Sequence, residues 1–210
     1  MEKYKNKYRN DSARIKNWDY GSPGYYYVTI CTKYRRCYFG EVVMCDGIER
    51  THWAGWCDGI VGTHDYASLP PTAHASQSPA AHPPHVMVRL TTIGKIAHQN
   101  WTAIPNHFPF VVLDEFIVMP DHIHGILCFK KPGYRGRNRN VFGPQSQNLA
   151  SVMRNYKGAT KAYATLHNIE FAWHHRYHDD VIRSRKELDN IRKYIKNNPA
   201  KWIEKRNTNK

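Results

Sequence analysis

Acidic residues are scarce in this chain: 17 Asp and Glu stand against 31 Lys and Arg, a formal charge of +14. Such an excess favours an anionic partner, and nucleic acid is the first candidate. Anionic membranes and acidic proteins would satisfy the same charge. Paired cysteine spacing is missing too. Cys31, Cys37, Cys45, Cys57 and Cys128 are odd in number and form no C-x-x-C, which argues against a disulfide framework or a standard zinc finger. No apolar run approaches the ~18 residues of a membrane span. The opening "MEKYKNKYRNDSARIKNW" is charged and lacks a secretion-type apolar segment, so a reducing cytoplasm is the expected compartment.

What the chain does have is length for a core and a surplus of rings. The 210 residues suit one domain, 1–210, and 14 tyrosines with 6 tryptophans among basic residues suit stacking on unpaired bases. Residues 1–20 read as a basic, polar arm. "YYYVTICTKY" is aromatic and β-branched, a strand, and "RRCYFGEVV" reads as its continuation with Gly40 as turn or bulge. The stretch 46–85, with "SLPPTAHASQSPAAHPP", has no apolar period and reads as a flexible, low-complexity insertion. Its His64, His74, His82 and His85 are taken as solvated rather than metal-binding. Beyond it, "VMVRLTTIGKIAHQNWTAIP" predicts a helix capped by Thr91 or Thr92. "FVVLDEFIVMP" and "HIHGILCF" predict a hairpin, and "NLASVMRNYKGATKAYATLH" a basic helix. "IEFAWHHRYHDDVI" predicts a strand, and "SRKELDNIRKYIKNN" a helix from Ser184 to Pro199. The order β, α, β, β, α, β, α predicts an α+β fold, an antiparallel sheet packed by helices.

Two histidines occupy core-type positions in "VMPDHIHGILCF". Side chains alternate along a strand, so His122 and His124 share one face, with Ile123 on the other. Two imidazoles so placed can bind one divalent cation through one nitrogen each. On the last predicted helix Tyr194 and Asn198 are four residues apart, beside a stripe of Leu188, Ile191 and Ile195. A helix docked by that stripe would bring Asn198 in as a third ligand and Tyr194 as a hydroxyl for attack on phosphorus. Taken singly, Tyr194 also suits ordinary packing, and Asn198 before Pro199 suits a helix end.

"MPDHIHGIL", "MRNYKGATKAYA", "YHDDVIR" and "IRKYIKNNP" together resemble the single-tyrosine HUH transposases of the IS200/IS605 class, nearest the REP-associated tyrosine transposase branch. The resemblance covers about residues 20–45 and 86–203 and spares the insertion. It implies the ferredoxin-like or RRM-like HUH endonuclease fold. It implies that His122 and His124 hold Mg²⁺ or Mn²⁺, and that Tyr194 forms a 5′-phosphotyrosine link to hairpin-bearing single-stranded DNA. Asn198 falls where insertion-sequence relatives often carry a glutamine ligand. The resemblance is compatible with a homodimer, as in insertion sequences, or a monomer, as in the REP-associated branch.

DNA contacts are expected from Arg154, Lys157 and Lys161, which line one side of the basic helix, a spacing that equally suits a solvated face. Arg176, Arg183 and Arg185 flank the site, Tyr177 could stack a base, and His178 in "RYHDD" has no assigned role. The leading expectation is a metal-dependent single-strand DNA endonuclease and strand transferase. Two others remain open: a replication or conjugation nickase of the same chemistry, and a non-catalytic RRM-like module with aromatics on an exposed sheet.

Overall fold

The computed structural model describes residues 3–4, 7–8, 15, 18–45, 60–61, 85–136 and 146–208. Most of the expected N-terminal arm and of the 46–85 insertion, including His64, His74 and His82, lies outside the described residues. The elements run β1 (Lys3–Tyr4), β2 (Lys7–Tyr8), β3 (Gly24–Cys31), β4 (Gly40–Cys45), β5 (Ile60–Val61), β6 (His85–Leu90), α1 (Thr92–Thr102), α2 (Ile104–His107), β7 (Val111–Val118), β8 (His122–Phe129), α3 (Leu149–Leu166), β9 (His178–Ile182), α4 (Arg185–Lys196) and α5 (Asn198–Thr208).

The architecture is α+β. A four-stranded antiparallel sheet, ordered β7-β8-β3-β9, carries the helices. Alternation in β3 sends Tyr26, Val28 and Ile30 into the core and leaves Tyr25, Tyr27, Thr29 and Cys31 half-buried on the opposite face. Helices α1 and α3 cover the core face: Trp101 packs edge-on against Tyr156, whose hydroxyl donates to the Ala97 carbonyl. Strand β8 can accept this layer because residue 125 is glycine. A Cβ there would sit 2.2 Å from the Trp101 ring. The expected caps form: Thr91 accepts from the Gly94 amide, Asn148 and Ser151 close a capping box on α3, and Ser184 accepts from the Glu187 amide.

Four details depart from the sequence reading. "RRCYFGEVV" does not continue β3; after a turn at Lys33–Arg35 the chain starts β4 in a second sheet, ordered β4-β6-β5. Gly40 opens that strand at φ 155°, where a Cβ would lie 2.2 Å from the Arg89 carbonyl oxygen. "HVMVRL" is the middle strand β6 of this sheet, and Ile60–Val61, from within the insertion, pairs with it. Residues 171–177 are irregular, joined just past the end of β3 by an isolated bridge between Thr32 and Trp173, so the fourth strand is only His178–Ile182. The last helix breaks at Asn197 (φ −85°, ψ 0°), and Pro199 opens α5 instead of ending a helix. A proline is tolerated there because first-turn amides have no intrahelical acceptor.

Helix α4 lies beside β7, where Leu188 and Ile195 are buried and Ile191 is half-buried. A polar clamp fixes its rotation. The Arg192 guanidinium donates to both carboxylate oxygens of Asp114 (2.7 and 2.5 Å), and Lys196 pairs with Glu115 at 3.2 Å. Both acids sit at the irregularity of β7 between Leu113 and Phe116.

Candidate active site

His122 and His124 are 4% and 5% exposed on the same face of β8, with ring centroids 4.4 Å apart at 76°. They are buried because α4 and α5 roof this face: the Tyr194 ring lies 5.2 Å from His124, and the Trp202 ring 5.9 Å from His122.

Each imidazole is held through Nδ1. His122 Nδ1–H donates to Asp121 Oδ1 at 2.5 Å, and the other oxygen of that carboxylate receives Arg35 Nε at 2.8 Å. The Asp121 carbonyl is itself fixed, accepting from the Thr32 amide (2.9 Å) and hydroxyl (3.0 Å). His124 Nδ1 meets the Tyr27 hydroxyl at 2.7 Å and the Thr29 hydroxyl at 2.9 Å, and Thr29 also donates to Tyr27. With the proton on Nδ1, the lone pair of His124 lies on Nε2, the nitrogen 3.5 Å from the Tyr194 hydroxyl. Burial, with His122 and Arg35 adding repulsion, pushes the His124 pKa down to about 2. The imidazole is therefore neutral at any physiological pH, the form that can act as a ligand. Burial likewise pushes the Tyr27 hydroxyl up to about 12, so it stays a phenol.

Tyr194 is 39% exposed, with Lys201 Nζ 5.3 Å from its ring centroid. Tyr194 is thus partly open to solvent, while its hydroxyl meets a buried imidazole. Asn198 is buried, but it stands on α5 rather than on the helix of Tyr194. It lies four residues before Trp202, the α5 residue whose ring meets His122, a spacing that puts the two on one side of the helix. Among the described residues no group of three or more His, Cys, Asp or Glu side chains converges as a metal cluster. A cation held by His122 and His124 would need oxygen donors from elsewhere, and Asn198 is the one the sequence offers.

The basic residues divide. Lys157 Nζ donates to the carbonyls of His174 (2.7 Å) and His175 (3.3 Å), and burial lowers its pKa. Lys161 Nζ donates to the Phe171 carbonyl at 2.8 Å. Both lysines thereby tie the irregular 171–175 segment onto α3, a structural task that the helical spacing did not reveal. Arg154 and Arg176 are exposed, and Tyr177 is half-buried against the core. Arg183 lies over the Trp18 ring at 5.9 Å, and Arg185 pairs with Asp189 at 3.4 Å. His178 pairs with Asp180 at 3.0 Å and sits opposite Thr29 across the sheet.

Sequence reasoning missed Tyr27, Thr29, Asp121, Arg35, Lys201 and Trp202. Part of that set had a signal, since alternation in "YYYVTIC" puts Tyr27 and Thr29 on one face and Asp121 directly precedes His122. Arg35 had none, because its reach depends on a turn with φ 55°.

No family model matches the chain. A Haemophilus influenzae protein described as uncharacterized is 27% identical over 201 residues, covering 91% of this chain and 88% of that protein. Among solved structures, that of a REP-associated tyrosine transposase bound to a REP hairpin overlays with a TM-score of 0.47 at 13% identity, covering 90% of this chain and 73% of the other.

Proposed function

We propose that this chain is a metal-dependent endonuclease and strand transferase acting on hairpin-bearing single-stranded DNA, with Tyr194 as its nucleophile. The observation that carries the reading is the Tyr194 hydroxyl 3.5 Å from Nε2 of a buried, neutral His124, beside a second imidazole 4.4 Å away. The motifs "HIH" and "YIKNNP", in that order, point the same way.

The donor set fits Mg²⁺ or Mn²⁺. Each imidazole has its Nδ1 anchored by an oxygen group, the arrangement that fixes ring orientation in metal-ligating histidines. Such a cation would neutralise charge on the scissile phosphate. His122, His124 and, from α5, Asn198 would hold it. The chain's own part is positioning. The Tyr194 oxygen attacks phosphorus, the bond from phosphorus to the 3′ oxygen breaks, and a 5′-phosphotyrosine and a 3′-hydroxyl result. The phenol gives up its proton and the leaving 3′ oxygen takes one up, so the exchange is balanced through solvent. Reversal by a second 3′-hydroxyl rejoins strands without an external energy source. Lys201, beside the phenol, supplies positive charge where phosphate would approach.

An RRM-like module without catalysis is less well supported, because the sheet is not an open aromatic platform. Tyr26 is fully buried and the Tyr27 hydroxyl is bound to His124. The test is incubation of end-labelled hairpin DNA with Mn²⁺ followed by denaturing electrophoresis. Wild type should yield a protein–DNA adduct that disappears with EDTA and with Tyr194→Phe; equal adduct from both proteins would refute the assignment.

A further inference from the structure

The turn between β3 and β4 holds two adjacent non-glycine residues in the left-handed region, Tyr34 at φ 56° and Arg35 at φ 55°. L-residues visit that region rarely and at a cost, so such a pair persists only where its surroundings impose it. The surroundings are specific. Thr32, just before the turn, donates its amide to the Asp121 carbonyl, and its one hydroxyl proton is shared between the carbonyls of Asp121 and of Arg36, just after the turn. The Lys33 amide donates to the Ala172 carbonyl, and Arg35 reaches both Cys31 Sγ (2.9 Å) and Asp121 Oδ2 (2.8 Å).

One side chain of this fixed turn makes no use of the core. Tyr34 is 78% exposed, with Lys33 Nζ 5.1 Å from its ring centroid. Its Cα lies within about 7 Å of that of Thr32, two residues back along the chain. The turn that carries the ring is thus tied, through Thr32 and Arg35, to Asp121 next to His122. An exposed ring on a fixed backbone, with a neighbouring ammonium, is a pairing suited to a single strand, the ring taking a base and the cation a phosphate.

We infer that Tyr34 is a stacking platform for one unpaired base of the DNA strand that enters the Tyr194 site, with Lys33 contacting the adjoining phosphate. The inference rests on the proposed function and adds to it the position where a base must be unpaired. It also assigns a purpose to the strained turn: the contacts that set Arg35 on Asp121 also hold the ring outward.

The experiment is a binding cycle on the full chain, in EDTA so that no strand is cut. Fluorescence anisotropy is measured for single-stranded hairpin DNA against wild type, Tyr34→Ala and Tyr34→Phe. The oligonucleotides carry an abasic nucleotide at successive positions around the cleavage point. Tyr34→Ala should weaken binding on the order of 10-fold, while Tyr34→Phe stays near wild type. One abasic position should weaken binding to wild type and leave Tyr34→Ala unchanged, the non-additivity that marks a direct contact. If every abasic position weakens both proteins equally, or Tyr34→Ala binds as wild type does, the inference is overturned. If wild type still forms the Tyr194 adduct in that case, only the stacking role falls. Absence of both binding and adduct in wild type would remove the functional reading and this inference with it.

Discussion

All three oxygens of Asp121 are held. Its carbonyl takes two bonds from Thr32, one carboxylate oxygen takes His122 Nδ1–H, and the other takes Arg35. The consequence is a fixed tautomer on His122, with Nε2 turned away from the carboxylate. Asp121→Asn should keep the fold but weaken Mn²⁺ binding by about 10- to 100-fold, the usual effect of losing such a partner, as read by titration calorimetry. Unchanged affinity would mean that His122 needs no orienting group. His124 makes a second expectation. Its folded-state pKa of about 2 lies below the 6.5 of a free imidazole, so the unfolded chain takes up the proton first. The stability contributed by the neutral ring is complete above about pH 6.5 and declines as pH falls, by at most ~1.4 kcal/mol per pH unit. His98, also lowered by burial, adds the same sign. Urea unfolding between pH 7 and 5 should therefore show a steeper loss in wild type than in His124→Gln.

At the level of elements, the site depends on how α4 and α5 sit on the sheet. The Arg192–Asp114 clamp is the polar part of that docking, and hydrogen bonding to Arg192 holds the Asp114 carboxyl below its usual range. That contribution is present above about pH 4 and is lost as pH falls through the depressed value. Arg192→Ala should cost roughly 1–3 kcal/mol in chemical denaturation and lower the rate of adduct formation, since it loosens the helix that carries Tyr194. On the other face of β8, Gly125→Ala should destabilise by about 1–3 kcal/mol or more, because the new methyl meets the Trp101 ring. The sequence showed the β7–β8 hairpin, the same-face histidines and the Leu188–Ile195 stripe, since each is a local periodic pattern. It did not show the break at Asn197, because "KNNP" reads as a stop and the following turns have only a weak apolar stripe. Nor did it show the second sheet, whose strands β4 and β6 meet across the insertion.

For the whole molecule, charge and structure partition the basic residues into two sets. Lys157 and Lys161 are bound to backbone carbonyls, whereas Arg154 and Arg176 are exposed. Loss of Lys157 should appear first as lost stability, about 1 kcal/mol per hydrogen bond. Arg154→Ala and Arg176→Ala should leave stability alone and reduce the salt dependence of single-strand binding, by about 0.7 in log–log slope per lost phosphate contact. No described helix is long and apolar enough to cross a membrane. The proposed chemistry belongs to one tyrosine out of 14. Peptide mapping by mass spectrometry of the adduct formed with hairpin DNA and Mn²⁺ tests it most directly. A nucleotide linked through its 5′ phosphate to Tyr194 is the predicted result; a nucleotide on another residue, or cleavage with no linked peptide, would contradict it.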